Sequence, residues 1–156
     1  MSKPLRKIER DIVAGVVISS DNKILMGKGW PGSVYNDSWL IPGGGVDEGE
    51  TKLQTLVREI QEEAGLDVSG YEAELVEDNA TGESEKTLKE TGERVLVHMH
   101  FFTYRINIPE LSDDIKVQAG DDLVELEWVS IDKLSQYKLS SPSENLFKKL
   151  GYINNE

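Results

Sequence analysis

The chain contains no cysteine. That excludes a disulfide framework, a thiolate nucleophile and a sulfur-ligated metal, so a bound metal ion must be held by oxygen or by the two histidines, His98 and His100. Oxygen donors point to hard cations, Mg²⁺ first and Mn²⁺ as its alternative. Basic residues are also scarce: 17 Lys and Arg against 29 Asp and Glu give a formal net charge of −12. Binding along a nucleic-acid backbone calls for a basic footprint, so no nucleic-acid partner is expected. An anionic small-molecule substrate would need a cation between itself and the protein.

Long hydrophobic runs are missing too. The longest, such as "IVAGVVI" at 12–18, fall far short of the roughly 20 residues that span a bilayer, so no membrane partner is expected. The opening "MSKPLRKIERD" is basic but passes into a strand-like segment without the apolar stretch and small-residue cleavage site of a secretory signal, which points to a cytoplasmic protein. At 156 residues, residues 1–156 are expected to form a single domain.

What is present is a clear order of elements. "DIVAGVVI" (11–18) is β-branched and nearly continuous in its apolarity, as a buried strand is, and "SSDN" supplies a turn before "KILMG", which predicts a hairpin. "KGWPGSVYNDS" (28–38) breaks all periodicity and predicts a loop before the short apolar run "WLI". "PGGG" (42–45) reads as a turn before a helix over 51–64, where Leu53, Leu56, Val57, Ile60 and Ala64 recur at spacings of three and four and Gly65 is the stop.

The polar stretch 74–94 predicts a long hairpin connection, and "VLVHMHFFTYRI" (95–106) a strand. "LVELEWVSI" (123–131) predicts another strand, and "SPSENLFKKLGY" (141–152) a terminal helix with Ser143 as cap and Gly151 as stop. Strands on both sides of one central helix predict a mixed α/β or α+β sandwich.

The chemistry concentrates in "REIQEEAG" (58–65). On a helical wheel at about 100° per residue, the five apolar positions occupy one arc of roughly 100°, and Glu59, Glu62 and Glu63 share another. Glu59 stands at i,i+3 and i,i+4 from the other two, where like charges cost a helix about 0.2–0.5 kcal/mol per pair. All three lie toward the helix C-terminus, where the dipole favours cations by about 0.3–1 kcal/mol. A divalent cation would relieve both penalties, whereas an acidic solvated face with an Arg58–Glu62 pair needs none.

The wider spacing separates these readings. Gly44 is followed after five residues by Glu50, after seven more by Arg58-Glu59-Ile60, then, one residue on each time, by Glu62-Glu63 and Gly65-Leu66. These 23 residues resemble the Nudix box, G-x5-E-x7-R-E-U-x-E-E-x-G-U with U aliphatic, at every defined position.

The resemblance to MutT-like Nudix hydrolases implies an α/β/α sandwich with a mixed sheet and a loop-helix-loop motif that hydrolyses nucleoside diphosphates linked to another moiety with divalent metal. It implies that Glu59, Glu62 and Glu63 bind metal, with Glu59 acting as ligand or general base depending on the member. Carbonyls of Gly43 and Gly44 would help hold the ion, and Arg58 would orient the carboxylates by salt bridging, which makes Glu59, Glu62 and Arg58 the catalytic candidates. Glu50 has two readings, as a favourable acid in the first helical turn and as a structural or outer-shell group, and is taken as a possible further ligand. Some members add an acid from outside the box; among Asp121, Asp122, Glu125 and Glu127, Glu125 is the choice.

Lys28, Trp30, Tyr35 and His98 are the candidate substrate contacts, although His98 and His100 alternate with Val97, Met99 and Phe101 as one face of a strand would, and loop or core packing accounts equally well for the two aromatics. Substrate choice resides outside the box. The chain lacks the proline of many ADP-ribose hydrolases, the tyrosine of some dinucleoside polyphosphate hydrolases and the arginine-rich signature of coenzyme A hydrolases. A small-molecule nucleotide is expected, first a nucleoside triphosphate, intact or damaged, and next a nucleotide sugar. Isopentenyl diphosphate isomerase shares the fold but uses a cysteine, which is absent here. A non-catalytic regulatory domain is the remaining alternative, and a homodimer is the expected assembly.

Overall fold

The computed structural model describes residues 4–29, 31 and 37–154. Among them one mixed sheet contains β1 (Arg6–Ile18), β2 (Lys23–Gly29), β3 (Trp39–Leu40), β4 (Gly43–Gly45), β5 (Ala73–Glu77), β6 (Thr81–Thr87), β7 (Arg94–Asn107) and β8 (Leu123–Ser130). Two α-helices among the described residues accompany it, α1 (Lys52–Ala64) and α2 (Ser141–Lys149).

The sheet runs β3-β2-β1-β7-β5, with β4 on β1, β6 on β7 and β8 on β2. The long β1 pairs with β2 and β4 antiparallel but with β7 in parallel, in unbroken register from Arg6↔Val95 to Ile18↔Asn107. β1 can therefore bury both faces, which explains its continuous apolar run. Val13 and Val17 join Leu25, Tyr104 and Ile106 under Leu56, Ile60 and Ala64 of α1. Val16 and Ile18 join Ile24, Met26 and Val129 under Leu146 and Phe147 of α2. The sheet is thus sandwiched between the two helices, the α/β arrangement expected. No helix among the described residues is long and apolar enough to cross a membrane.

Four local expectations are corrected. "PGGG" is not a simple turn: Gly43–Gly45 form β4, paired Val13↔Gly44 with β1. The polar stretch 74–94 is not a connection either, because Thr81–Thr87 form β6, in register with β7 from Thr81↔His100 to Thr87↔Arg94. Its side chains are mostly exposed, so the strand is held by backbone pairing and lacks the apolar alternation that would reveal it. The α2 cap is Ser140, whose Oγ accepts from the Ser143 N–H at 3.3 Å, and Ser143 is buried inside the first turn. Leu53, assigned to the apolar arc of α1, is 49% exposed. Trp30 and Tyr35 lie outside the described residues.

Candidate metal centre

Both ends of α1 are fixed, and that sets where its side chains point. Thr51 and Gln54 form a reciprocal capping box, with Thr51 Oγ1 accepting from Gln54 N at 3.1 Å and Gln54 Oε1 from Thr51 N at 2.9 Å. At the other end Gly65 takes the left-handed conformation at φ 65° and donates its N–H to Gln61 O. With Leu56 and Ile60 seated on the sheet, Glu63 is carried inward to 3% exposure. Glu59 is mostly enclosed and Glu62 stands at the rim, with side-chain exposures of 12% and 43%.

Strand β4 supplies the opposing wall. The Gly43 N–H donates to Glu63 Oε1 at 2.8 Å. A Cβ on Gly44 would collide with the Glu59 carboxylate, so backbone and carboxylate approach here as only glycine allows.

Arg58 ties the acids together. Its Nε and Nη2 donate to the two oxygens of Glu50 at 2.8 and 3.0 Å, a bidentate fork. Its Nη1 donates to Glu59 Oε1 at 2.9 Å and reaches Glu62 Oε2 at 3.3 Å. Nη2 also donates to Gly45 O at 3.3 Å. Glu50 additionally accepts from Thr55 Oγ1 at 2.8 Å and Asp47 N at 3.1 Å. Of its two readings, the geometry favours the outer one: both its oxygens are engaged in holding Arg58.

A fourth acid arrives from the loop before β8. Gln118 N donates to Ala64 O and Gly120 N to Glu63 O, which satisfies carbonyls left open at the end of α1 and docks the loop there. Oxygens of Asp121, Glu59 and Glu62 lie within 4.8 Å of one another. Glu125 is not in this group. β8 alternates, Leu126 and Trp128 packing toward α1 and Val129 toward α2, so Glu125 projects to the α2 side with Val129. The sequence offered four acids between 121 and 127, and which one reaches the helix end depends on how the loop docks.

Electrostatics divides the carboxylates. The Arg58 and Thr55 bonds lower the Glu50 pKa to about 2. Burial raises that of Glu63 to about 8, with Glu59, Asp122 and Asp121 adding to the rise and the Gly43 N–H opposing it. Burial also raises Glu59, against the pull of Arg58. The group is therefore charge-frustrated, and a hard dication fits it: carboxylate oxygens from two elements converge beside backbone that carries no side chain.

The remaining candidates lie elsewhere. Lys28 pairs with Trp39 on β3 and Glu125 on β8, its Nζ 5.3 Å from the Trp39 ring centroid. His98 sits on β7 opposite Glu9, four residues along β1 from Val13, the partner of Gly44. That offset is about 13 Å at roughly 3.3 Å per residue.

A family model described as NUDIX domain matches residues 9–150. The RNA pyrophosphohydrolase of Hydrogenovibrio crunogenus is 38% identical over 60 residues, 38% of this chain and 34% of that protein. The 8-oxo-dGTP diphosphatase of Proteus vulgaris is 38% identical over 58 residues, 37% of this chain and 52% of that protein. The matches thus span about a third to a half of the length of these relatives. A structure of MutT, from work on the Aliivibrio salmonicida and Vibrio cholerae proteins, superposes with a TM-score of 0.64 at 22% identity, covering 92% of this chain and 97% of that one. At that identity the likeness is one of fold.

Proposed function

This chain belongs to the Nudix family, and we propose that it is a divalent-metal-dependent pyrophosphohydrolase that cleaves a phosphoanhydride bond of a nucleoside triphosphate. The observation that carries this reading is the convergence of Glu59, Glu62 and Asp121 at the end of α1, facing the bare backbone of Gly44. Glu59, Glu62 and Asp121 would hold Mg²⁺, with Mn²⁺ as the alternative, and Glu63 would join once ionised. The bound ion would neutralise charge on the phosphoryl oxygens and lower the pKa of the attacking water.

The chain's own residues supply the rest. Glu59, enclosed and raised in pKa by burial, would serve either as a ligand or as the general base that takes the proton of the attacking water. Arg58 fixes the Glu59 and Glu62 carboxylates against their mutual repulsion, and Glu50 fixes Arg58. The carbonyls of Gly43 and Gly44 are further candidate ligands, their side of the site being free of side chains.

A nucleoside triphosphate is preferred because the diphosphatase relative is named for one and because the net charge of −12 opposes a long polyanion. The RNA pyrophosphohydrolase relative supports a second reading, a 5′-triphosphate at an RNA end. One experiment separates them: metal-stripped protein is returned to Mg²⁺ and assayed on nucleoside triphosphates, oxidised nucleotides, nucleotide sugars and 5′-triphosphate RNA, with release of phosphate, pyrophosphate and monophosphate measured. Turnover of free triphosphates above RNA supports the proposal, and the reverse order supports the RNA end. Absence of Mg²⁺-dependent product from every substrate would overturn the enzyme reading in favour of a binding domain.

A further inference from the structure

We propose that Glu9, His98 and His100 form a second metal site, unlike the first in chemistry and suited to a borderline transition dication of the Zn²⁺ class. The alternation in "VHMHF" (97–101) puts both imidazoles on one face of β7. Strand register then sets a row across three strands, Glu83 on β6, His98 on β7 and Glu9 on β1. The two rings stand 4.8 Å apart, inclined at 66°. His100 Nε2 lies 3.1 Å from Glu9 Oε2, and one donor atom from each of Glu9, His98 and His100 lies within 4.8 Å of the others.

A simple hydrogen bond accounts for Glu9 and His100 but leaves His98 unexplained. Its Nδ1 is buried and has no hydrogen-bond partner among the described residues. Glu83 Oε2 is 3.9 Å from it, beyond hydrogen-bonding range. Buried polar nitrogens are rarely left without a partner, and a cation shared with the neighbouring imidazole is one that this surface can supply.

The donor set decides which cation. Two imidazoles with one or two carboxylates suit Zn²⁺, Co²⁺ or Ni²⁺, whereas Mg²⁺ selects oxygen. Bonds of about 2.0–2.2 Å around a tetrahedral ion bring donors to about 3.4 Å from one another, so the cluster must contract slightly. Glu9 and Glu83, with side chains 60% and 47% exposed, are free to make that adjustment. The site would tie β1 to β7 directly and, through Glu83 as a fourth ligand, bind the polar strand β6, now held by backbone pairing and by Arg94 on Glu85 and Thr87.

The test uses the full chain stripped of metal and held in excess Mg²⁺ so that the carboxylate centre is occupied. Zn²⁺ is titrated by calorimetry, and Co²⁺ by its visible absorption. One Zn²⁺ equivalent should survive the Mg²⁺ competition, vanish in the His98→Ala, His100→Ala double variant and persist in Glu62→Gln. Should the double variant fail to fold, imidazole ¹⁵N shifts of His98 and His100 in the unmodified protein read the same contact, and both should move on Zn²⁺ addition. Zinc binding that is displaced by Mg²⁺, that is lost in Glu62→Gln or that leaves both imidazoles unperturbed would overturn the proposal.

Discussion

Arg58 and Glu50 meet as a fork and a carboxylate, eight residues apart, at 2.8 and 3.0 Å. The pair is partly buried and belongs to a network that also takes in Asp47, Glu59 and Glu62, so it contributes to stability as well as to geometry. Its consequence is directional: with Nε and Nη2 engaged by Glu50, Nη1 is left facing Glu59 and Glu62. Arg58→Lys removes the fork while keeping the charge. Activity on the preferred nucleotide should fall by about 10- to 100-fold, as for other groups that orient metal ligands, in a protein that still folds but with a lowered thermal midpoint. A variant with full kcat/KM would show that the fork positions nothing.

Neighbouring glycines in β4 should respond differently to the same methyl group. A Cβ on Gly43 meets the Val13 carbonyl and Ala14, part of the sheet itself, whereas one on Gly44 meets the Glu59 side chain. Gly43→Ala should therefore destabilise the fold by about 1–3 kcal/mol, the usual range for overpacking. Gly44→Ala should leave chemical denaturation almost unchanged but displace Glu59 and depress activity. Equal losses of stability in the two variants would remove the distinction.

The legibility of the molecule follows from range of interaction. Helix α1 was readable because its signals are local: apolar positions recurring at three and four, Gly65 at the stop, and carboxylate spacings fixed by helical geometry, whereas the Thr51–Gln54 capping box at its start came only from the structure. Strands β1 and β7 were readable because they bury apolar faces. Strand β6 was not, because backbone pairing to β7 holds it while its side chains face water. The position of Asp121 depends on backbone bonds between residues more than fifty apart in sequence, Gln118 to Ala64 and Gly120 to Glu63, and no local pattern reports those. Burial of Glu63 shares that origin, since its partner is the Gly43 N–H across the sheet edge.

Asp121 and Glu125 offer a direct comparison of two acids in one segment. Asp121 gathers with Glu59 and Glu62, while Glu125 projects from the other side of β8. Asp121→Asn should weaken Mg²⁺ or Mn²⁺ binding, measured by calorimetry or by the metal dependence of turnover, and Glu125→Gln should leave it near the unmodified value. Glu62→Gln provides the scale, with activity expected to drop by orders of magnitude in a folded protein. A larger effect at Glu125 than at Asp121 would relocate the centre.

The buried acid Glu63 makes stability depend on pH with a definite sign. Its carboxyl pKa rises from 4.5 to about 8 in the folded chain without metal. Between those values the folded state keeps a proton that the unfolded state has released, so stability falls as pH rises from 4.5 to about 8. Glu50 carries the opposite sign, but with its pKa lowered to about 2 its contribution is nearly complete at the start of that window. Because the ion binds the ionised site, added Mg²⁺ should restore more stability at the alkaline end than at the acidic end. Glu63→Gln keeps an oxygen to accept from Gly43 N–H while removing the titration, so its midpoint in chelator should vary less with pH. Urea midpoints across the window, with chelator and then with Mg²⁺, measure all three effects, and a midpoint in chelator that rises toward pH 8 would refute the assignment of a protonated Glu63.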